Sequence, residues 1–321
     1  MIQVKDVTKV YGPTMALDHV SFEVGKRQIL GFLGPNGAGK STAMKIITSY
    51  IAPTEGSVTV GGIDVAKDPI SVRRLIGYLP ETTPLYEGMQ VDQYLRFCAK
   101  ARGLAGARLN SRLDWVVQQC GLEEMFKKDI NQLSKGFKQR TGLAQALIHD
   151  PEILILDEPT TGLDPLQIIQ IRKLIQELAH EKTVIFSTHI LQEVSSTTDR
   201  VIIINNGRII ADGYLNDLQS DARGGAQLRV ALTAGRDEVE RGLISLDSVA
   251  QVNVVSEAEG VVTARLRGTD GVNLRREVGQ LAAARSWPVM EMGVPEVSLE
   301  DAFIEYIRRS NEQHGKEARH V

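Results

Sequence analysis

The sequence has little cysteine, no surplus of either charge and no apolar run long enough to cross a bilayer. Its two cysteines, Cys98 and Cys120, lie in helix-like stretches without metal-ligand spacing, which points to reduced thiols of a cytoplasmic protein. Lys and Arg number 37 against 40 Asp and Glu, a net charge of −3, which argues against nucleic-acid binding by bulk positive charge. The apolar run "VIIIN" at 201–205 is far short of the roughly 20 residues that a membrane-spanning helix needs. The opening "MIQVKDVTKV" alternates like a strand and lacks a basic stretch leading into an apolar core, so it does not read as a secretory signal. A chain of this kind serves a membrane only from outside the lipid.

What remains is ordinary for a globular protein: 321 residues, 24% charged and 42% hydrophobic, enough for about two domains. Ile2–Val7 and Val20–Val24 pattern as strands around a turn-rich piece, and "QILGFLG" (28–34) as a buried strand. A helix is expected from Lys40, with Ala43, Met44, Ile46 and Ile47 as its apolar side. Residues from about 90 to 149 are helical in pattern and interrupt a strand–helix alternation. That alternation resumes at "EILILDEP" (152–159), "TVIFSTH" (183–189) and "RVIIINNGRII" (200–210). It implies an α/β fold with a mostly parallel sheet. Asp164 and Pro165 read as N-cap and first residue of a helix.

"DARGGAQ" near 220 marks a break. Beyond it the pattern runs strand 227–233, helix 236–245, hairpin 249–267, helix 271–286 and strand 288–294, a β-α-β-β-α-β order that suggests a small α+β ferredoxin-like domain. Ser298 and Asp301 form a capping-box pair for a last helix with Leu299, Phe303 and Ile307 on one stripe. The expected domains are therefore 1–219, 220–310 and a flexible tail at 311–321.

The stretch "GPNGAGKST" comprises Gly34, Pro35, Asn36, Gly37, Ala38, Gly39, Lys40, Ser41 and Thr42. Its glycines let backbone N–H groups turn inward at a strand end and helix start, forming a nest for phosphate oxygens. Lys40 reaches the β- and γ-phosphates and Ser41 offers a hydroxyl to Mg²⁺, so a nucleoside triphosphate is the expected ligand. The strand "ILILDE" ends in Asp157, placed to hold Mg²⁺ through water, and Glu158, placed to accept a proton from an attacking water. Alone, such a pair of acids marks a helix N-terminus as often as a hydrolytic centre.

In family order, "VYG" (10–12), the phosphate loop, "LSKGFKQR" (133–140), "TGLD" (161–164) and "STH" (187–189) resemble the ATP-binding-cassette (ABC) family over residues 2–215. The resemblance implies a P-loop cassette fold with an antiparallel β subdomain and a helical subdomain, ATP and Mg²⁺ as cofactors, and ATP hydrolysis. It implies that Tyr11 stacks on adenine, that Ser134 and Gly136 contact the γ-phosphate held by a second subunit, that Asp164 couples the two sites and that His189 contacts the γ-phosphate. Without the family match, Ser134 reads first as a plain helix cap, Asp164 equally as a cap, His189 as a structural histidine, and Tyr11 also as a partly buried strand-end tyrosine.

Two departures stand out. Lys135 and Phe137 replace the Gly and Gln of "LSGGQ", and Glu81 in "GYLPE" stands where many members carry glutamine, which leaves its role open. Both departures, and the closing "SLEDAFIEYIRR", resemble ABC-2-type ATPase subunits such as those tied to gliding motility and similar exporters. The resemblance implies a homodimer that drives a separate multi-span permease, without direct nucleic-acid contact. Such a subunit sits on the inner face of the cell membrane through its permease. The competing expectation, a soluble cassette acting on ribosomes or DNA, is disfavoured by the single phosphate loop and by the lack of heptads over 43–132.

Overall fold

The computed structural model describes residues 1–198, 200–222, 227–269, 274–293 and 298–317. β1 (Ile2–Tyr11) and β2 (Thr14–Val24) form a hairpin that leads into β3 (Ile29–Leu33) and helix α1 (Lys40–Ile47). β4 (Glu55–Val60), β5 (Ile63–Asp64), α2 (Pro69–Leu75) and β6 (Ile76–Leu79) follow. Helices α3 (Val91–Ala101), α4 (Gly106–Gln119) and α5 (Lys135–Leu147) fill the stretch expected to be helical. The alternation then resumes with β7 (Ile153–Asp157), α6 (Pro165–Ala179), β8 (Thr183–Thr188), α7 (Leu191–Thr197), β9 (Arg200–Asn205) and β10 (Arg208–Tyr214).

Two sheets are built from these strands. The antiparallel sheet has the order β2-β1-β4-β5, and the six-stranded sheet the order β10-β9-β3-β8-β7-β6, parallel except for the β9–β10 hairpin. Val4, Phe22 and Val58 of the first and Phe32, Ile155 and Ile202 of the second share one core with Met44, Ile46 and Ile47 of α1. The expected apolar side of α1, Ala43, Met44, Ile46 and Ile47, is the face that is buried, together with Lys40.

β1 and β2 both run further than alternation predicts. Asp6 and His19 adopt φ of 50° where the β1–β2 register shifts, so bulges carry the hairpin through residues that break the pattern.

The contacts divide the chain into two units, Met1–Leu215 with Arg309–Val321, and Asn216–Arg308. The second contains α8 (Leu215–Ala222, from Asn216), β11 (Gln227–Thr233), α9 (Arg236–Ile244), β12 (Val249–Ala258), β13 (Val261–Gly268), α10 (Leu274–Ala284), β14 (Val289–Gly293) and the start of α11 (Leu299–Glu317). Its sheet is antiparallel in the order β12-β13-β11-β14, with Val230, Val262, Val278 and Trp287 in the core. The order of elements follows the sequence pattern; residues 271–273 of the expected helix and 294 of the expected strand lie outside the described residues.

Ser298 accepts from the Asp301 N–H at 3.1 Å, so the expected cap is in place. Helix α11 continues to Glu317, past the point where patterning places a frayed tail, while residues 318–321 lie outside the described residues. One physical reason is that Asn205 Nδ2 donates to Ser310 Oγ at 3.4 Å and to Asn311 Oδ1 at 3.1 Å.

Candidate functional site

The site forms where parallel strands end side by side. Leu33 of β3 stands opposite Thr188 of β8, and Asp157 of β7 opposite Ser187. The residues that follow each strand therefore converge at the carboxyl edge of the sheet, where α/β folds bind ligands.

The phosphate loop leaves β3 at Gly34, where a Cβ would stand 2.4 Å from the Ile204 carbonyl oxygen. Gly39 has φ of 109°, and a Cβ there would stand 2.6 Å from the Ala16 oxygen. Both positions need glycine for space, and Gly37, with φ of 80°, needs it for conformation. Lys40 opens α1 and is 6% exposed; its ammonium donates to the carbonyls of Gly34 at 2.8 Å and Pro35 at 3.2 Å. The loop is thus curled around the Lys40 ammonium.

Glu158 follows β7 in the left-handed region, at φ of 52°. Its N–H is shared between the Ser187 oxygen at 3.2 Å and Ser187 Oγ at 3.1 Å, while that hydroxyl donates to Asp157 Oδ1. The twist sends the two acids to different partners. Glu158 Oε1 lies 3.6 Å from Lys40 Nζ, and Oε2 lies 2.9 Å from His189 Nδ1. With Glu158 as carboxylate, His189 Nδ1 carries the proton and donates it to the bond. Glu158 is 5% exposed, whereas the His189 side chain is 45% exposed, so the histidine joins a buried acid to the surface.

Ser41 and Asp157 line one cavity of about 430 Å³, together with Tyr78 and Glu81. A hydroxyl and a carboxylate facing one space suit Mg²⁺, which takes few protein ligands and fills its shell with water and phosphate oxygens. No group of three or more His, Cys, Asp or Glu fit to hold a metal occurs among the described residues, so any ion here depends on such outside ligands. Glu81 is exposed at the rim of this cavity. The Tyr78 hydroxyl is buried, and burial, with Asp157 nearby, pushes its pKa well up.

The remaining expected residues stand elsewhere. Ser134 caps α5, accepting from Phe137 N at 3.4 Å, and a Cβ on Gly136 would meet Gln167 Oε1 at 2.5 Å. Asp164 caps α6, accepting from Gln167 N at 2.9 Å. Ser134, Gly136 and Asp164 therefore gather around the α5 and α6 N-termini, and their contacts there are not with the phosphate loop. Tyr11 ends β1, 46% exposed, with the Lys9 ammonium 5.1 Å from its ring centroid.

Sequence patterning overlooks Ser187, which fixes both acids, and Glu193, 2% exposed on α7. Glu193 accepts from Thr160, in the loop after Glu158, and from Thr188 at 2.7 Å. Glu193 thereby ties the loops that follow β7 and β8. A glutamate four residues after His189, one helical turn on and next to Val194, was the available signal.

The family model described as "ABC transporter" matches residues 17–161, and one described as "AAA domain, putative AbiEii toxin, Type IV TA system" matches residues 128–195. The linearmycin resistance ATP-binding protein LnrL of Bacillus subtilis is 31% identical over 311 residues, covering 97% of this chain and 99% of LnrL. The bacitracin transport ATP-binding protein BcrA of Bacillus licheniformis is 31% identical over 310 residues, 96% of this chain and 97% of BcrA. Among solved structures, the dimeric post-hydrolysis state of the ATP-binding cassette MJ0796 bound to ADP and Pi superposes with a TM-score of 0.63 at 27% identity, covering 67% of this chain and 98% of that one.

Proposed function

This chain belongs to the ABC transporter family as an ATP-binding subunit and ATPase, and from that premise we propose that it works as a homodimer closed around two ATP molecules to drive a separate ABC-2-type permease. The observation that carries the reading is the division of the site residues. Lys40, Asp157, Glu158 and His189 are joined in one cluster, whereas Ser134 and Gly136 sit beside α6 with their own contacts. A second copy that brings its Ser134 helix over the first copy's phosphate loop completes each site.

In this mechanism the phosphate-loop N–H groups and Lys40 hold the β- and γ-phosphates. Ser41 and Asp157 would hold Mg²⁺, which would supply neutralisation of the phosphate charge. Glu158 takes a proton from water as its oxygen bonds the γ-phosphorus and the bridging bond to ADP breaks. His189 and Lys40 hold the carboxylate for that step, and Ser187 holds the backbone beneath it. Tyr11 offers a half-exposed ring for adenine, and Glu81, at the cavity rim, places charge where glutamine is common.

The relatives named for linearmycin resistance and bacitracin transport support an export role. No helix among the described residues is long and apolar enough to cross a membrane, which fits a partner that supplies the spans. We read residues Asn216–Arg308 as a ferredoxin-like accessory unit that braces the dimer, supported by its β-α-β-β-α-β order and antiparallel sheet.

The test combines two variants. Glu158→Gln with ATP is expected to elute as a dimer and without ATP as a monomer. Adding Ser134→Arg is expected to abolish the dimer while each monomer still binds ATP. Dimers that persist unchanged in the double variant would refute the shared site.

A further inference from the structure

The turn between β9 and β10 lies behind the phosphate loop, and the middle of α11 is bonded to Asn205, the residue that enters it. Asn206 and Gly207 have φ of 47° and 77°, the left-handed pair of a two-residue type I′ hairpin. The Gly207 N–H donates to the Ala38 carbonyl of the phosphate loop at 3.0 Å, and the Gly207 carbonyl accepts from Asp18 N at 2.9 Å. One residue before Asn205, the Ile204 oxygen faces Gly34 so closely that a Cβ there would be 2.4 Å away. The loop therefore touches this hairpin at its first glycine and again at Ala38.

Asn205 stands between those contacts, 4% exposed, and its amide donates to Asn311 Oδ1 at 3.1 Å and Ser310 Oγ at 3.4 Å. Ser310 is itself 4% exposed. A buried amide that loses its acceptors must find others or stay unsatisfied, so the hairpin shifts when they go. It cannot shift without moving the Ala38 carbonyl it bonds and the Ile204 oxygen that faces Gly34. We infer that Asn205 is a positioning residue through which Ser310 and Asn311 of α11 set how firmly the phosphate loop holds nucleotide. The inference rests on the reading that residues 34–42 hold ATP. It gives the middle of α11 a part in nucleotide affinity.

The test uses the full-length chain as wild type, Asn205→Ala, Ser310→Ala/Asn311→Ala, and all three changes together. Binding of a non-hydrolysable ATP analogue and steady-state ATPase are measured. Each of the first two variants is expected to raise Kd and KM by about three- to tenfold, the scale of a hydrogen bond or two, with kcat within about twofold. The combined variant is expected to match the worse of the two, because both break one connection. A folded Ser310→Ala/Asn311→Ala protein whose Kd rises less than threefold overturns the inference, as does multiplication of the two losses. If Asn205→Ala does not fold, the α11 variant alone decides. Failure of the wild type to bind the analogue would instead overturn the ATP reading, and this inference with it.

Discussion

Replacing Glu158 by glutamine keeps the side chain's shape and removes its charge, so its effects should depend on whether nucleotide is present. Without ATP, the buried Lys40 ammonium loses the carboxylate 3.6 Å away, both side chains being 6% exposed. Breaking a buried pair costs about 3–5 kcal/mol when nothing replaces the lost partner. Here Lys40 keeps the Gly34 and Pro35 carbonyls, and the glutamine oxygen still accepts from His189. A loss of about 2 kcal/mol is therefore expected, which lowers Tm by about 4–8 °C for a domain of this size. With ATP, the phosphates supply the missing counter-charge, so the deficit closes, and ligand at a hundredfold over Kd adds about 2.7 kcal/mol. Loss of the proton acceptor slows hydrolysis by about 10²–10⁴-fold. Thermal unfolding with and without ATP, alongside phosphate release, measures all three effects. An unchanged Tm without ATP, or phosphate release within tenfold of wild type, refutes the assignment of Glu158 as a charge partner and proton acceptor.

Gly34→Ala is expected to weaken ATP binding by at least tenfold, because its Cβ would press 2.4 Å from the Ile204 oxygen, and backbone must give at a cost of about 1–3 kcal/mol; fluorescence titration with an ATP analogue reads this directly. His149 gives a pH signature. Burial and the Arg102 charge push its pKa down to about 4, against 6.5 for a free imidazole, while one ring nitrogen lies 3.1 Å from the Ile76 oxygen. The unfolded chain thus binds the proton first, so stability from this residue is present above pH 6.5 and is lost as pH falls toward 4. Relative to His149→Gln, the wild type should lose up to about 3 kcal/mol over that window in urea unfolding. Parallel curves for the two proteins between pH 7.5 and 4.5 count against this account.

The fold was most legible where local chemistry and global packing agree. The strand into residues 34–42, the Asp164–Pro165 helix start and the Ser298–Asp301 cap each state their geometry within a few residues, and each stands as expected. The hairpin of β1 and β2 was only half visible, because left-handed Asp6 and His19 break the alternation that signals a strand. The contact of Glu158 with His189 joins residues 31 apart in sequence, so no window of sequence contains it. It follows from β7 lying beside β8 with Asp157 opposite Ser187, a register that emerges only when the sheet is assembled. Ser187 and Glu193 were missed for the same reason: their roles are to hold other residues, and nothing local announces that. The last turns of α11 were read as tail because 311–321 is polar, while the bond that holds Asn311 at their start comes from Asn205, more than a hundred positions earlier.

The level finish of β3, β8 and β7 bears on where this chain tolerates insertions and deletions. Side chains along a strand alternate between faces, so removing one residue from 153–156 would send Asp157 toward the layer it now avoids and draw Glu158 back into the sheet. The same deletion at the exposed Arg102 or Gly103 between α3 and α4 would shorten a connection and leave every residue of the site in its plane. Variation in length should therefore gather in the helical insert and at surface turns, while the strands keep a fixed count of residues.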